Sequence, residues 1–278
     1  MKHTLSEKTL VPIANPGHLE KLMDLACLFH SHKKLSIYPL TIINKAAESE
    51  QTINIAHELL VTASNNIKST NWIHLEPIIR SDVNIAIGIS KAIDEMGADN
   101  TIIGWNQEEL VGYRIFGSIL DQLLVFTNQL LLVYKAKTAA ADHKRIVLAI
   151  PPGSHEEPGF EELMGKTLNM AGSLKLKLEV LAEFGDIPVI RTIIQNYGMD
   201  VPAVFNPLIL WDDLTGSLKG ILNKDDLIFL VGARKGSISC RQNLELLPRK
   251  LAERYPENSM IIAYSRIKNP VYNSYFDP

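Results

Sequence analysis

Short, unbroken apolar runs recur along the chain, separated by stretches in which apolar residues return every three or four positions. TIIGW (Thr101–Trp105), LLLVY (Leu130–Tyr134), RIVLAI (Arg145–Ile150), LIFLVG (Leu227–Gly232) and MIIAY (Met260–Tyr264) are of the first kind. They are too short for helices, and they lack the apolar/polar alternation of a strand with one wet face. Such runs are expected of parallel strands covered by helices on both faces of a sheet. Leu19, Leu22, Met23, Ala26 and Phe29 are of the second kind, as are Phe160, Leu163, Met164 and Leu168. Each set makes an apolar stripe along one side of a helix.

The pattern is written twice. TLVPIANPG (Thr9–Gly17) is answered by RIVLAIPPG (Arg145–Gly153), each an apolar run closed by Pro-Gly before a helical stripe. In the first half the pattern predicts strands over 35–44, 72–79 and 101–104, with helices over 52–66 and 83–96, and a further helix and strand to follow. In the second half it predicts strands over 174–181, 204–211, 227–232 and 259–264. Helices are expected there over 188–197, 214–222 and 244–254. Strands separated by helices predict an α/β fold of two tandem three-layer α/β/α domains, each with a mainly parallel five-stranded sheet. KAKTAAADHK (Lys135–Lys144) has no apolar periodicity and reads as a linker. The expected domains are 1–138 and 145–278, joined by 139–144. The last strands, QLLLVY and SMIIAY, read as sheet edges that need covering, by one another or by another chain, so a homodimer is expected.

A length of 278 residues suits two domains. Composition then narrows the partners: 28 basic against 31 acidic residues give a net charge of -3, which offers no counterion-release drive toward nucleic acid. Asp121, Gln122, Asn128 and Gln129 interrupt the longest apolar segment, so no membrane span is expected. MKHTLSEKTL has no apolar core of a secretory leader, and the expected location is cytoplasmic. Cys27 and Cys240 lack CxxC partners and suggest neither disulfide nor zinc.

Ligands of open parallel sheets collect at the carboxyl ends of the strands. In the first half these ends include Ala14, Ile42 and Gly104. Gly104 permits close backbone approach, and Gly117-Ser118 sets amide groups and a hydroxyl at a helix start, where the dipole favours anions. The same glycines also serve the turn alone, and Ser118 serves equally as a helix cap. In the second half, Arg234, Lys235, Gly236, Ser237 and Ser239 follow Gly232, combining two cations, a flexible backbone and two hydroxyls. That set suits a small anion or an acidic partner surface, or is a solvated loop.

The spacing Gly104, Gln107, Gly117-Ser118 resembles the nucleotide loop of the universal stress proteins, and both halves resemble that family in tandem. The resemblance implies ATP or AMP as ligand, with Gly104, Gly117 and Ser118 on the phosphates and the main chain of Ile42 on the adenine. Two positions depart from it: Ala14 stands where the family has an aspartate, and Gln107 where it has a second glycine. In the second half Lys235 takes that glycine's place, and Glu245 stands where the Gly-Ser pair would begin.

ARKGSIS, with LELLPRKL and SMIIAYSR after it, resembles the second stress-like domain in the cytosolic carboxyl-terminal region of bacterial sodium(cation)/proton antiporters. That resemblance implies a noncatalytic regulatory module attached to a transporter's membrane domain and tethered to the inner face of the membrane. The alternative is a free-standing ATP- or AMP-binding stress protein.

Metal chemistry is not expected. His30 and His32 point apart on a helix, and His155-Glu156-Glu157 reads as a polar loop. Asp212-Asp213 offers a divalent cation too few oxygens and is better explained as a helix cap. No GxSxG, HExxH or Walker sequence is present, so no enzyme activity is expected.

Overall fold

The computed structural model describes residues 6–14, 16–30, 34–66, 72–105 and 118–267. These form two compact units, divided between Leu131 and Leu132. The first contains β1 (Glu7–Pro12), α1 (Leu19–Leu28), β2 (Leu35–Asn44), α2 (Glu50–Asn66), β3 (Ile73–Leu75), β4 (Ile78–Asp82), α3 (Ile85–Met96), β5 (Asn100–Gly104) and α4 (Ser118–Phe126). The division falls inside β6 (Leu130–Lys135). The second unit continues with β7 (Arg145–Ala149), α5 (Phe160–Ser173), β8 (Lys177–Glu183), α6 (Ile187–Asn196) and β9 (Ala203–Leu208). It ends with α7 (Leu214–Ile221), β10 (Asp226–Gly232), α8 (Leu247–Arg254) and β11 (Met260–Tyr264).

The predicted fold class is the one observed. In the first unit β1 lies between β2 and β5, and β2 carries β3 and β4 on its far side, with every one of these ladders parallel. In the second, β7 lies between β8 and β10, β9 lies beyond β8 and β11 beyond β10, again parallel. The two units thus repeat one strand order. Helices cover the sheet because its strands are apolar on both sides. Ile146 to Ala149 and Ile228 to Leu230 are buried to 1% exposure or less, and the α5 stripe residues Phe160, Leu163, Met164 and Leu168 are wholly buried as well. In the first unit Leu10, Ile37, Leu40 and Ile102 of the sheet and Leu22, Met23 and Ala26 of the α1 stripe are all buried.

Among the element bounds that differ from the sequence reading, three have a local cause. The strand expected over 72–79 is two, β3 and β4, although both keep one register on β2, with Leu35 opposite Ile73 and Leu40 opposite Ile78. Pro77 lies in the gap and has no N–H for the ladder. Helix α3 starts at Ile85 rather than Val83, because the Asn84 side chain accepts a hydrogen bond from the Ile87 N–H and caps it. The strand expected from Leu174 begins at Lys177, since the chain first closes α5 with Lys175 at φ 55 and the Leu176 N–H on the Ala171 carbonyl.

Lys135 Nζ donates to the carbonyls of Tyr255, Pro256 and Asn258 at 3.2, 2.9 and 2.9 Å, and the N–H groups of Lys137 and Thr138 donate to Ser259 Oγ. These bonds tie the end of β6 into the second unit. The expected linker is likewise ordered: Ala140–Asp142 forms a 3-10 turn, and Ala140 and His143 are buried. Ala140 is buried within the turn and His143 just after it, so a segment without periodicity still packs.

Candidate functional site

In the first unit the carboxyl ends of β1, β2 and β5 come together, because β1 pairs with both of the others. A Cβ placed on Gly104 would lie 3.5 Å from His18 Nδ1 and from Leu22 Cδ1, so β5 ends beside the first turn of α1. Those are ordinary contacts, and no steric demand at that point requires glycine. Ile42 is inside the β2–β4 ladder, opposite Arg80, and β2 runs on to Asn44. Its side chain packs on α3, where a Cβ at Gly88 would come within 3.0 Å of Ile42 Cδ1 and 3.1 Å of Asp82 Cβ. Ser118 opens α4. Gly117 and Gln107 lie outside the described residues, as does His32.

Asp82, at the end of β4, is buried and ion-paired with Lys91 Nζ at 2.8 Å. The Lys91 bond holds its carboxyl below the usual carboxylate range. Arg80 grips Glu95 with two bonds of 2.5 and 2.6 Å. Both pairs fasten β4 to α3 and are structural.

The second unit has a more developed constellation at the corresponding end. Pro151–Ser154 is a β-turn, with the Ser154 N–H on the Pro151 carbonyl and Gly153 at φ 75. Pro152 and Gly153 occupy the two central places that a type II turn assigns to those residues. Its Gly153 N–H donates to Asp186 Oδ2 at 3.0 Å. A 3-10 turn (Ser154–Glu156) follows, and only then does α5 begin. In the first unit α1 begins immediately after the Pro16–His18 turn. The extra residues carry Glu157 across to the loop after β10. There Glu157 Oε1 accepts from the Ser239 N–H at 3.0 Å and from Ser239 Oγ at 2.9 Å.

The ARKGSIS loop is built around a second turn. The Ser237 N–H and Oγ both donate to the Arg234 carbonyl, and Gly236 sits at φ 84, a conformation for which glycine is suited. This turn sends its two cations in opposite directions. Arg234 is 4% exposed, with its Nε on the Ser265 carbonyl at 3.3 Å, and burial pushes its guanidinium down to about 10. The Lys235 side chain is 81% exposed and 3.7 Å from Glu245. Arg234, Lys235, Gly236 and Ser237 therefore do not converge on one external anion.

What does converge is Glu157, Gly232, Arg234, Ser237, Ser239 and Ser265, around a cleft of about 10 Å³. That is close to the least space one water needs, and far below the ~300 Å³ or more of a small-molecule site. Gly232 and Gly159 make the closeness possible. A Cβ on Gly232 would lie 2.7 Å from the Tyr264 ring, and one on Gly159 would lie 2.5 Å from the Arg266 backbone nitrogen. In this unit an internal carboxylate takes both Ser239 donors of the loop.

Sequence reasoning missed Glu157, treating it as part of a polar loop. The available signal was the longer spacing from Gly153 to the Phe160 stripe than from Gly17 to the Leu19 stripe. It also missed Arg145, which starts β7 and is bonded to Asp226 through Nε and Nη2, to Glu179 at 2.9 Å and to the Ile221 carbonyl. The Asp226 bonds raise its pKa further. This clamp lies at the amino ends of the strands, away from any ligand position. Asp213 stands at the start of α7, but its carboxylate makes no capping hydrogen bond. Among the described residues no group of three or more His, Cys, Asp or Glu side chains is placed to hold a metal, and no helix is long and apolar enough to cross a membrane.

No family model matches the sequence. Over 119 residues the chain is 29% identical to the Na(+)/H(+) antiporter NhaS5 of Synechocystis sp., a match spanning 41% of this chain and 17% of that protein. Among solved structures, a universal stress protein from Archaeoglobus fulgidus aligns with a TM-score of 0.61 at 14% identity, over 92% of this chain and 97% of its own. The cytoplasmic domain of a prokaryotic cation chloride cotransporter aligns with a TM-score of 0.62 at 11% identity, over 96% and 98%. With one strand order in both units and these likenesses over nearly its whole length, the chain has the universal stress protein fold.

Proposed function

We propose that this chain is a noncatalytic regulatory module, the cytosolic part of a cation/proton antiporter. One observation carries the reading: the sequence likeness to an antiporter coincides with a fold likeness to the cytoplasmic domain of another ion transporter. The closed cleft of the second unit supports it, because there Glu157 holds the Ser239 donors of the loop in an internal contact. Regulation then requires an effector or a partner contact with different affinity for two states of the transporter, since only differential affinity moves such an equilibrium. Fractionation of native cells with an antibody to this chain tests the reading, together with cation/proton exchange in vesicles with and without it. Membrane association and an altered exchange profile are expected. A wholly soluble chain whose removal leaves exchange unchanged would refute the proposal.

A second reading, a free-standing protein binding ATP or AMP in its first unit, is favoured by the likeness to the Archaeoglobus fulgidus stress protein and by Gly104 and Ser118 at a strand end and a helix start. Calorimetry with millimolar ATP or AMP decides it. Absence of heat, with the chain folded, eliminates this reading and leaves the first intact.

A further inference from the structure

At the carboxyl end of β9 in the second unit lies an open groove of about 570 Å³, lined by Leu208, Ile209, Asp212, Asp213, Thr215 and Gly216 among others. It is separate from the Glu157 cleft, with which it shares no lining residue. Ile209 is 86% exposed and Leu210 61%. The hydrogen bond from the Phe184 N–H to the Leu208 carbonyl brings Phe184, 75% exposed, to the same corner. Large side chains exposed this far and grouped at one corner mark an interaction surface. Beside them, the Asp212 and Asp213 carboxylates have no hydrogen bond or ion pair among the described residues, and Asp213 does not cap the helix it precedes. Gly216 leaves the α7 wall open, since a Cβ there would meet nothing within 4 Å.

We infer that this groove docks a cationic, apolar segment of a partner protein, one that presents an apolar side chain to Ile209 and Leu210 and Lys or Arg to Asp212 and Asp213. Charge selects this occupant over the others. A second copy docking by the same face would set two carboxylate pairs against each other across a two-fold axis. An anionic membrane surface would be repelled. A divalent cation needs more oxygen ligands than two neighbouring carboxylates supply. The inference does not depend on the antiporter reading.

The probe is a labelled synthetic amphipathic peptide of Leu and Lys, with a Leu and Glu peptide as control, followed by fluorescence anisotropy on the full chain. The Lys peptide is expected to bind more weakly as salt rises. Ile209→Ser with Leu210→Ser should weaken it about tenfold or more, as should Asp212→Lys with Asp213→Lys. Glu50→Lys, on an exposed part of α2, should leave it unchanged. All these side chains are exposed, and unchanged thermal melts will show that each variant folds. Equal binding of the Glu peptide, or parental affinity in both double variants, overturns the proposal. So does self-association in sedimentation that the Ile209 and Leu210 changes abolish, because the face would then belong to a second copy.

Discussion

Replacing Glu157 with alanine tests whether an internal carboxylate closes the second unit. The change removes the acceptor of two hydrogen bonds, from the Ser239 N–H and from Ser239 Oγ, and Ser239 is only 1% exposed. Hydrogen bonds to a charged group contribute ~1.5–3 kcal/mol each, but Glu157 is only half-buried and the polar cleft can take a water in its place. A net loss of about 2–3 kcal/mol is expected, equivalent to a fall in Tm of about 6–12 °C for a unit of this size. Glu157→Gln keeps an acceptor and should lose ~1 kcal/mol or less. The assay is thermal melting of parent and variants with and without phosphate. Phosphate should restore part of the lost stability to Glu157→Ala by binding only its folded form, and should leave the parent unmoved. The reasoning fails if Glu157→Ala melts within about 1 °C of the parent, or if phosphate shifts both proteins equally.

Gly159→Ala should destabilise the second unit by ~2–4 kcal/mol in urea titration, because the new methyl meets the Arg266 backbone at 2.5 and 2.6 Å, where no side chain can swing aside. Lys135→Met should cost ~2–4 kcal/mol, since it strips a common donor from three carbonyls in the turn after α8. Lys135 is 4% exposed, and burial has already pulled its ammonium down to about 8. His143, buried beside the Asp225 carbonyl, has its pKa lowered by burial, so the unfolded chain binds the extra proton more readily as pH falls below 6.5. Stability should be full above that pH and decline below it, and His143→Leu should flatten this part of a melting profile between neutral and mildly acidic pH.

Much of the fold was legible because it rests on local rules. Unbroken apolar runs identified the buried strands, and three- and four-residue spacing identified the helix faces that cover them. Pro152-Gly153 announced a turn that the structure forms with the Ser154 N–H on the Pro151 carbonyl. Within the expected linker, Ala140 and His143 show no periodicity in the sequence, whereas their burial depends on what lies opposite.

The candidate site was less legible. Arg234 and Lys235 are adjacent and alike in charge, yet one is buried and the other solvated, and only the Gly236 turn separates their fates. Glu157 and Ser239 are far apart in the chain and meet because β7 and β10 pair, bringing the loops after both strands to one end of the sheet. The amino-acid sequence determined which segments become strands and helices, and that the pattern is written twice, because backbone geometry and apolar periodicity act over a few residues. The tertiary structure alone decided that the second loop closes on an internal carboxylate while Asp212 and Asp213 find no partner among the described residues, because pairing of charges and burial are set by neighbours that the chain brings together only on folding.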